Sequence, residues 1–289
     1  MSTINDKKPQ LHASMLTMLS NCPIQFQRRY GARFGLWHEE EIRPPGIAAA
    51  IGSSVDASVN YNMNVKKIGL EQGEDHYVLL NDVLQVARDE AAGLWAGGLL
   101  LSDEEAEALK TTQGDLIDWS VMMSEHHYYN VADLIKPVDV QKNWVITLEN
   151  FPVDLSGTID IVEAVTLRDT KTTKGSVPYD FAQSMQAVIY NLAFKIETGG
   201  LPKEFIFDVL VRKDLKRGRE VAYKPATMIP LEKHFPPLFN RIERLCDFFE
   251  NVRKGKATFP AVTPSAQSKW ICTKAYCGYW HTCNCKLDW

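Results

Sequence analysis

The chain has no surplus of basic charge: 32 Lys and Arg stand against 36 Asp and Glu, a formal net charge of −4 over 289 residues. That balance is not the signature of a protein that coats nucleic acid through bulk charge. It is compatible with local basic patches beside an acidic site, because the distribution of charge governs binding more than its sum. The first residues lack a secretory signal, since Asp6-Lys7-Lys8-Pro9 is polar and no long apolar run follows. A cytoplasmic, reducing setting without membrane attachment is the expectation, and it argues against disulfides among the six cysteines. Internal repeats and low-complexity tracts are absent as well, which sets aside a repeat array. What the chain does have is 45% hydrophobic residues, enough for a sizeable core in one large domain or in a core with a lobe.

Periodicity and breakers divide it into a helical N-terminal part, a central sheet and a closing segment. Short helices are predicted over 13–19 and 23–30, then a break at Arg43-Pro44-Pro45-Gly46 and a long helix from 47 to about 68. Two more helices, 75–95 and 102–131, flank Gly97-Gly98, the second opened by the capping-box pattern Ser102-Asp103-Glu104-Glu105. Segments 144–149, 153–163 and 165–171 read as an antiparallel meander. A helix with one buried face follows over 179–197, then a strand pair over 204–212 and 220–228 and a helix over 231–254. The expected divisions are 1–45, 46–135 as a helical lobe, 136–255 as the core, and 256–289 as a cysteine-bearing segment that packs back on the N-terminus.

Gly157-Thr158-Ile159-Asp160, then Arg168-Asp169-Thr170-Lys171, then Gln186 and Tyr190 one helical turn apart bring two carboxylates, a lysine and a polar helix face into one short stretch. Phosphodiester cleavage calls for these types. A divalent cation polarises the phosphoryl oxygen and supplies hydroxide near neutral pH, and Mg²⁺ takes oxygen ligands while keeping several waters. Asp160 and Asp169 on neighbouring strands are therefore candidate ligands for Mg²⁺ or Mn²⁺. Lys171, two residues after Asp169, points to the same strand face. There a compact ammonium can orient water or steady charge developing on phosphate. An acidic and a basic residue on a strand are by themselves commonly a solvated surface, so the ordered set carries the signal.

The cysteines are distributed unevenly. Four form Cys272-x4-Cys277-x5-Cys283-x-Cys285, while Cys22 lies far upstream in Asn21-Cys22-Pro23-Ile24-Gln25-Phe26. Four thiolates suit a [4Fe–4S] cluster or zinc, and spacing does not separate the two. A clip from Cys22 to the tail would close a very long loop and hold both ends on the core. Cys285 is an alternative to Cys283, and Cys246 reads as a buried thiol in a helical apolar pattern. Arg28 and Arg29 beside Tyr30 combine charge with an aromatic face, suited to a backbone phosphate and a stacked base. Lys174, Arg212-Lys213 and Lys216-Arg217 are further basic candidates, each with a solvated surface as the competing reading.

The ordered set of Asp160, Asp169, Lys171, Gln186 and Tyr190 resembles the PD-(D/E)XK nuclease superfamily. More narrowly it resembles the RecB-like branch, which carries Gly-x-hydrophobic-Asp, Asp-x-Lys and Gln-x-x-x-Tyr. The resemblance implies an α/β fold: a restriction-endonuclease-like core with a central mixed sheet flanked by helices, an N-terminal helical lobe and a C-terminal iron–sulfur-binding segment. It implies that Asp160 and Asp169 bind metal, that Lys171 serves the nucleophile, and that Gln186 and Tyr190 steady the site and the DNA backbone. RecB-like nucleases with an iron–sulfur cluster place one cysteine in a Cys-Pro-x-x-Phe setting before the core and three after it. On that resemblance Cys22, Cys272, Cys277 and Cys283 are the natural ligands, and [4Fe–4S] is favoured over zinc. One position departs from the branch, which usually carries a histidine in an early helix: here Ile51-Gly52-Ser53-Ser54-Val55-Asp56 ends in Asp56. Asp56 is either an oxygen ligand suited to Mg²⁺ or Mn²⁺ or a solvated helix residue. The implied activity is that of a metal-dependent DNA exonuclease in recombination, repair or end processing, in a bacterial or phage-infected cell. A helicase or recombinase partner and self-association are further expectations. Two readings compete with it, a catalytically silent cluster-bearing subunit that binds nucleic acid and a zinc-binding structural protein.

Overall fold

The computed structural model of the chain describes residues 8–73, 78–174, 184–259, Cys277 and Tyr279. Its N-terminal helices are α1 (Ala13–Asn21), α2 (Pro23–Tyr30) and α3 (Ile47–Gln72), followed by α4 (Leu80–Ala96), α5 (Asp103–Glu107) and α6 (Leu109–Asn130). The strands are β1 (Gln10–Leu11), β2 (Asp139–Ile146), β3 (Asp154–Val162), β4 (Thr166–Lys174), β5 (Glu204–Leu215), β6 (Gly218–Tyr223) and β7 (Ala226–Met228). Helix α7 (Met185–Thr198) lies between β4 and β5, and α8 (Phe235–Arg253) follows β7.

Local chemistry explains most of the boundaries. Pro23 opens α2, where a missing N–H costs nothing. Gly73, at φ 68°, closes α3 in the left-handed conformation that glycine adopts without strain. The capping box forms as predicted: Ser102 N–H donates to Glu105 Oε2 at 2.7 Å and Glu105 N–H to Ser102 Oγ at 3.3 Å. The single helix predicted over 102–131 is instead two. Helix α5 has no buried residue to hold it in line, so it stops at Ala108, and the Thr112 hydroxyl takes up the freed Glu105 carbonyl at 3.1 Å. The strand predicted over 220–228 is likewise two, β6 and β7, interrupted at Lys224-Pro225, where proline has no N–H for the ladder. The strand predicted over 144–149 begins earlier, at Asp139.

Among the described residues a seven-stranded mixed sheet runs in the order β1-β3-β4-β5-β6, with β2 also on β3 and β7 also on β5. Strand β5 is parallel to β4 and buried on both faces, which is why Phe205 to Val211 is almost continuously apolar. One face packs Leu11 of β1 and Phe207 of β5 with Leu16, Phe26, Ile189, Ile242 and Phe249 from α1, α2, α7 and α8. The other packs Leu210 of β5 with Ile51, Val55, Met63, Leu116 and Met123 from α3 and α6. The result is a three-layer α/β/α arrangement around one mixed sheet. A buried charge network holds β4 to its neighbour: Arg168 donates to Glu163 Oε2 at 2.6 Å and Asp208 Oδ1 at 2.9 Å, and Tyr223 OH donates to the same Asp208 oxygen at 2.7 Å.

His127 on α6 sets an acid limit on this fold. It is 1% exposed, and burial, followed by the charges of Arg168, His126 and Lys66, pushes its imidazole down to about 3. The folded state therefore refuses a proton that the unfolded chain accepts below about 6.5. Stability present above pH 6.5 is lost as pH falls toward 3, and linkage puts the loss by pH 5 at about 2 kcal/mol. Urea unfolding at pH 7.5 and pH 5 should show that loss in the wild type and a smaller one in His127→Leu.

Candidate active site

The site grows from the way β3 is paired. Strand β2 runs antiparallel along one edge of β3 from Ile146↔Leu155 to Asp139↔Val162. The other edge is shared: β1 pairs in parallel with Asp154 and Leu155, and β4 pairs only through Ile161↔Arg168 and Val162↔Leu167. Between those two contacts β3 and β4 part, and the fork opens where Asp160 and Asp169 stand opposite each other. A cavity of about 830 Å³ adjoins it, lined by Gln10 and His12 from the β1 side, Ser156 to Thr158 from β3, Lys171 from β4, and Gln186 and Tyr190 from α7.

The five motif residues meet there. Gln186 Nε2 donates to Asp169 Oδ1 at 2.6 Å and lies 3.2 Å from the Tyr190 hydroxyl, and the Lys171 ammonium pairs with Asp169 Oδ2. Asp169 is 1% exposed, so both of its oxygens are fixed in a dry setting. Asp160 Oδ2 accepts the Thr170 backbone N–H at 3.3 Å and its Oδ1 accepts the Gln141 amide at 3.4 Å. Gln141 was not legible in the sequence, and neither was His12, whose Nδ1 lies 3.1 Å from the Ser156 carbonyl. Neither position carries a motif, and only the pairing of β3 brings them to the site.

Asp56 reaches the same place from α3. A Cβ on Gly52 would lie 3.2 Å from Thr172 Oγ1, so α3 crosses β4 closely at Gly52, and Asp56 follows one turn later on the same face. Burial first, then repulsion from Asp169, raises the Asp56 carboxyl to about 6, against the opposing pull of Asn60 and Lys171. Burial, then Asp169 and Asp56, also raises Asp160 well above the carboxylate range. Burial works to lower the Lys171 ammonium, but Asp169, Asp160 and Asp56 together hold it above its ordinary value. Asp56 is thus half-buried, within reach of the charges of Asp169 and Lys171.

Gly157 is required by packing. A Cβ there would stand 2.8 Å from Trp144 Cζ2 and 3.3 Å from Tyr190 Cε1, because the Trp144 ring lies across β3 and meets Tyr190 edge-on at 5.8 Å. Gly157→Ala should push Trp144 into Tyr190 and loosen Gln186. A cost of about 1–3 kcal/mol is expected, read as a lower denaturation midpoint.

The donor set fits a divalent cation. The charge of Asp169 raises the proton affinity of Asp56 and of Asp160, and among the described residues buried Asp169 Oδ2 has no well-formed hydrogen bond beside its pairing with Lys171. No three His, Cys, Asp or Glu side chains among the described residues yet surround a single point. Asp160 and Asp169 would hold the ion with water completing its shell, and Asp56 would be the third oxygen donor.

The other predicted residues are placed as follows. Arg28 pairs with Glu41 at 3.7 Å and lies over the Tyr279 ring at 5.6 Å, and Tyr30 packs on Phe26 at 5.9 Å. Both are engaged by the protein itself. Arg29 and Lys174 line a second cavity of about 690 Å³ with Arg43, Arg212 and Trp119, and Met18 and Gln25 line both cavities. Lys174 is ion-paired with Asp214 at 3.1 Å. Cys22 caps the start of α2, and the Gln25 amide on that helix donates to Cys277 Sγ at 3.2 Å. The Tyr279 hydroxyl donates to the Glu41 carbonyl at 2.5 Å, so these two C-terminal residues pack on the N-terminal helices. Cys272, Cys283 and Cys285 lie outside the described residues. Cys246 is half-buried on α8 against the core, and burial raises its thiol. No helix among the described residues is long and apolar enough to cross a membrane.

No curated protein matches the chain. Among solved structures it is similar to a candidate exonuclease from Eubacterium rectale, at 13% identity and a TM-score of 0.47, over 89% of this chain and 88% of that one. It is also similar to the protein SSO0001, at 12% identity and a TM-score of 0.33, over 92% of this chain and 96% of that one. The family model of the PD-(D/E)XK nuclease superfamily matches residues 10–284. Nearly the whole chain, the forked strands and their carboxylates included, falls within that match, and the chain belongs to the PD-(D/E)XK nuclease superfamily.

Proposed function

We propose that the chain is a metal-dependent DNA exonuclease of the RecB-like branch, with Asp160, Asp169 and Asp56 holding Mg²⁺ or Mn²⁺. The observation that carries this reading is the fork between β3 and β4, where Asp160 and Asp169 stand opposite each other and Asp169 is held by Lys171 and Gln186, which line the adjoining cavity together with Tyr190. The ion supplies polarisation of the phosphoryl oxygen and a lowered pKa for water. Lys171, fixed by its pairing with buried Asp169, places its ammonium toward the charge that develops on the phosphate, where a pre-positioned cation needs no reorganisation. Gln186 holds Asp169 by the 2.6 Å hydrogen bond, and Tyr190, braced by Trp144, keeps Gln186 in place.

The strand would leave the catalytic cavity past Met18 and Gln25 toward Arg29 and Lys174. Lys171 and Lys174 are three residues apart on β4, roughly 10 Å along the strand and on opposite faces, so Lys171 serves the first cavity and Lys174 the second. Because phosphate contacts release counterions, Arg29→Ala should weaken DNA binding and flatten its salt dependence by about one unit of slope, as read by fluorescence anisotropy across a salt series.

A [4Fe–4S] cluster on Cys22, Cys272, Cys277 and Cys283 belongs to the same reading, supported by the contact of Cys277 with α2 just after Cys22. Protein purified without oxygen should show iron and sulfide near four per chain and a broad visible band, and Cys22→Ala should lose both. One zinc per chain and no visible band would replace the cluster with a structural zinc site. The catalytically silent reading draws on Asp56: a protein that binds DNA and gains cleavage only as Asp56→His would establish it.

A further inference from the structure

We infer that Gln141 on β2 is a positioning residue for Asp160, held in a strained backbone conformation so that its side-chain amide reaches that carboxylate. The inference rests on the nuclease reading only for the identity of the ion.

Gln141 has φ 52°, the one non-glycine positive value among the described residues. That region is costly for a side chain of this size, and Gly, Asn and Asp tolerate it best. No turn demands it, because Gln141 lies inside a strand whose flanking pairs, Val140↔Ile161 and Lys142↔Ile159, keep an unbroken register. The ladder skips only the position where Gln141 faces Asp160. The two sound pairs on either side can impose a conformation that the residue alone would leave. What the conformation yields is a contact, Gln141 Nε2 to Asp160 Oδ1 at 3.4 Å, while the Thr170 N–H holds Oδ2 at 3.3 Å. Each carboxylate oxygen thus has one donor, which fixes the plane of the carboxylate. The residue types that relax best at this φ do not serve: glycine has no side chain, and the amide of asparagine is one methylene too short. A neutral amide also orients Asp160 without competing for its charge, as a lysine would.

The test uses the full chain with Gln141→Gly, which permits the positive φ but lacks the amide, and Gln141→Leu, which keeps the bulk but lacks the amide. Mn²⁺ binding is measured by calorimetry, and melting is measured in EDTA. Both variants are expected to bind Mn²⁺ about tenfold more weakly or worse, with metal-free Gln141→Gly melting at or above the wild-type temperature. On DNA, kcat should fall with KM unchanged. Mn²⁺ affinities within twofold of wild type, or metal-free Gln141→Gly melting well below it, would assign Gln141 a structural role and overturn the inference. A wild type that binds no Mn²⁺ would overturn it as well. A wild type that binds Mn²⁺ yet cleaves nothing would defeat the nuclease reading and leave this comparison intact.

Discussion

Lys171→Ala is expected to lower kcat for Mn²⁺-dependent DNA hydrolysis by about 10²–10³-fold while KM stays within about twofold. Lys171 lines the cavity with its own side chain partly exposed, and its ammonium is fixed by pairing with a carboxylate that is 1% exposed. A charge aimed at developing phosphate charge stabilises the transition state more than the bound substrate, and its loss falls on kcat rather than KM. Lys171→Arg should restore little, because a planar guanidinium is larger and differently directed than an ammonium. Mn²⁺ binding separates chemistry from collapse of the site: it should persist in Lys171→Ala, since the lost cation repels the metal. Retention of more than a third of wild-type kcat would remove Lys171 from the reaction.

Asp56→Asn is expected to stabilise the metal-free protein at pH 7.5 and to weaken Mn²⁺ binding. The sign follows from the raised Asp56 carboxyl, held at about 6 in the fold against 3.8 ordinarily, by burial and then by Asp169. Between those values the folded state binds a proton that the unfolded chain releases, so stability falls as pH rises through that window, and the whole penalty is present above about 6. A raised value of that size corresponds to roughly 2–3 kcal/mol, from burial first and the Asp169 charge second. Asn removes the charge, so in EDTA it should raise the melting temperature by several degrees at pH 7.5 and by almost nothing below pH 4. The His127 effect is common to both proteins and cancels in the difference. Added Mn²⁺ should reverse the order, because an ion that binds only the folded state stabilises by mass action where its ligands are complete. An Asp56→Asn protein no more stable than wild type in EDTA at pH 7.5 would mean that Asp56 lies outside the carboxylate cluster.

The site was more legible than the frame that assembles it. Asp169 and Lys171 share a face because strands alternate, and Gln186 and Tyr190 share one because helices repeat nearly every fourth residue, so local periodicity was sufficient for both pairs. The fork is different. It depends on β1, two residues long, taking the edge of β3 that β4 leaves, and a two-residue strand has no sequence signal. Gln141 was hidden for the same reason, since its left-handed backbone is imposed by pairing partners and not by its own preference. Propensity misled at α5, where helical residues continue without a buried face to keep the axis straight. At Arg28 and Tyr30, which charge and aromaticity offer to DNA, tertiary packing adds contacts to Glu41, Tyr279 and Phe26 that no sequence pattern announces.

The most direct test is hydrolysis of DNA labelled at one end, single- and double-stranded, beside covalently closed circles of the same sequence, with Mn²⁺, Mg²⁺ or EDTA. Metal-dependent loss of nucleotides from linear ends, with circles untouched and the reaction lost in Lys171→Ala, is the predicted result. A folded, Mn²⁺-binding wild type that leaves every linear substrate intact would contradict it.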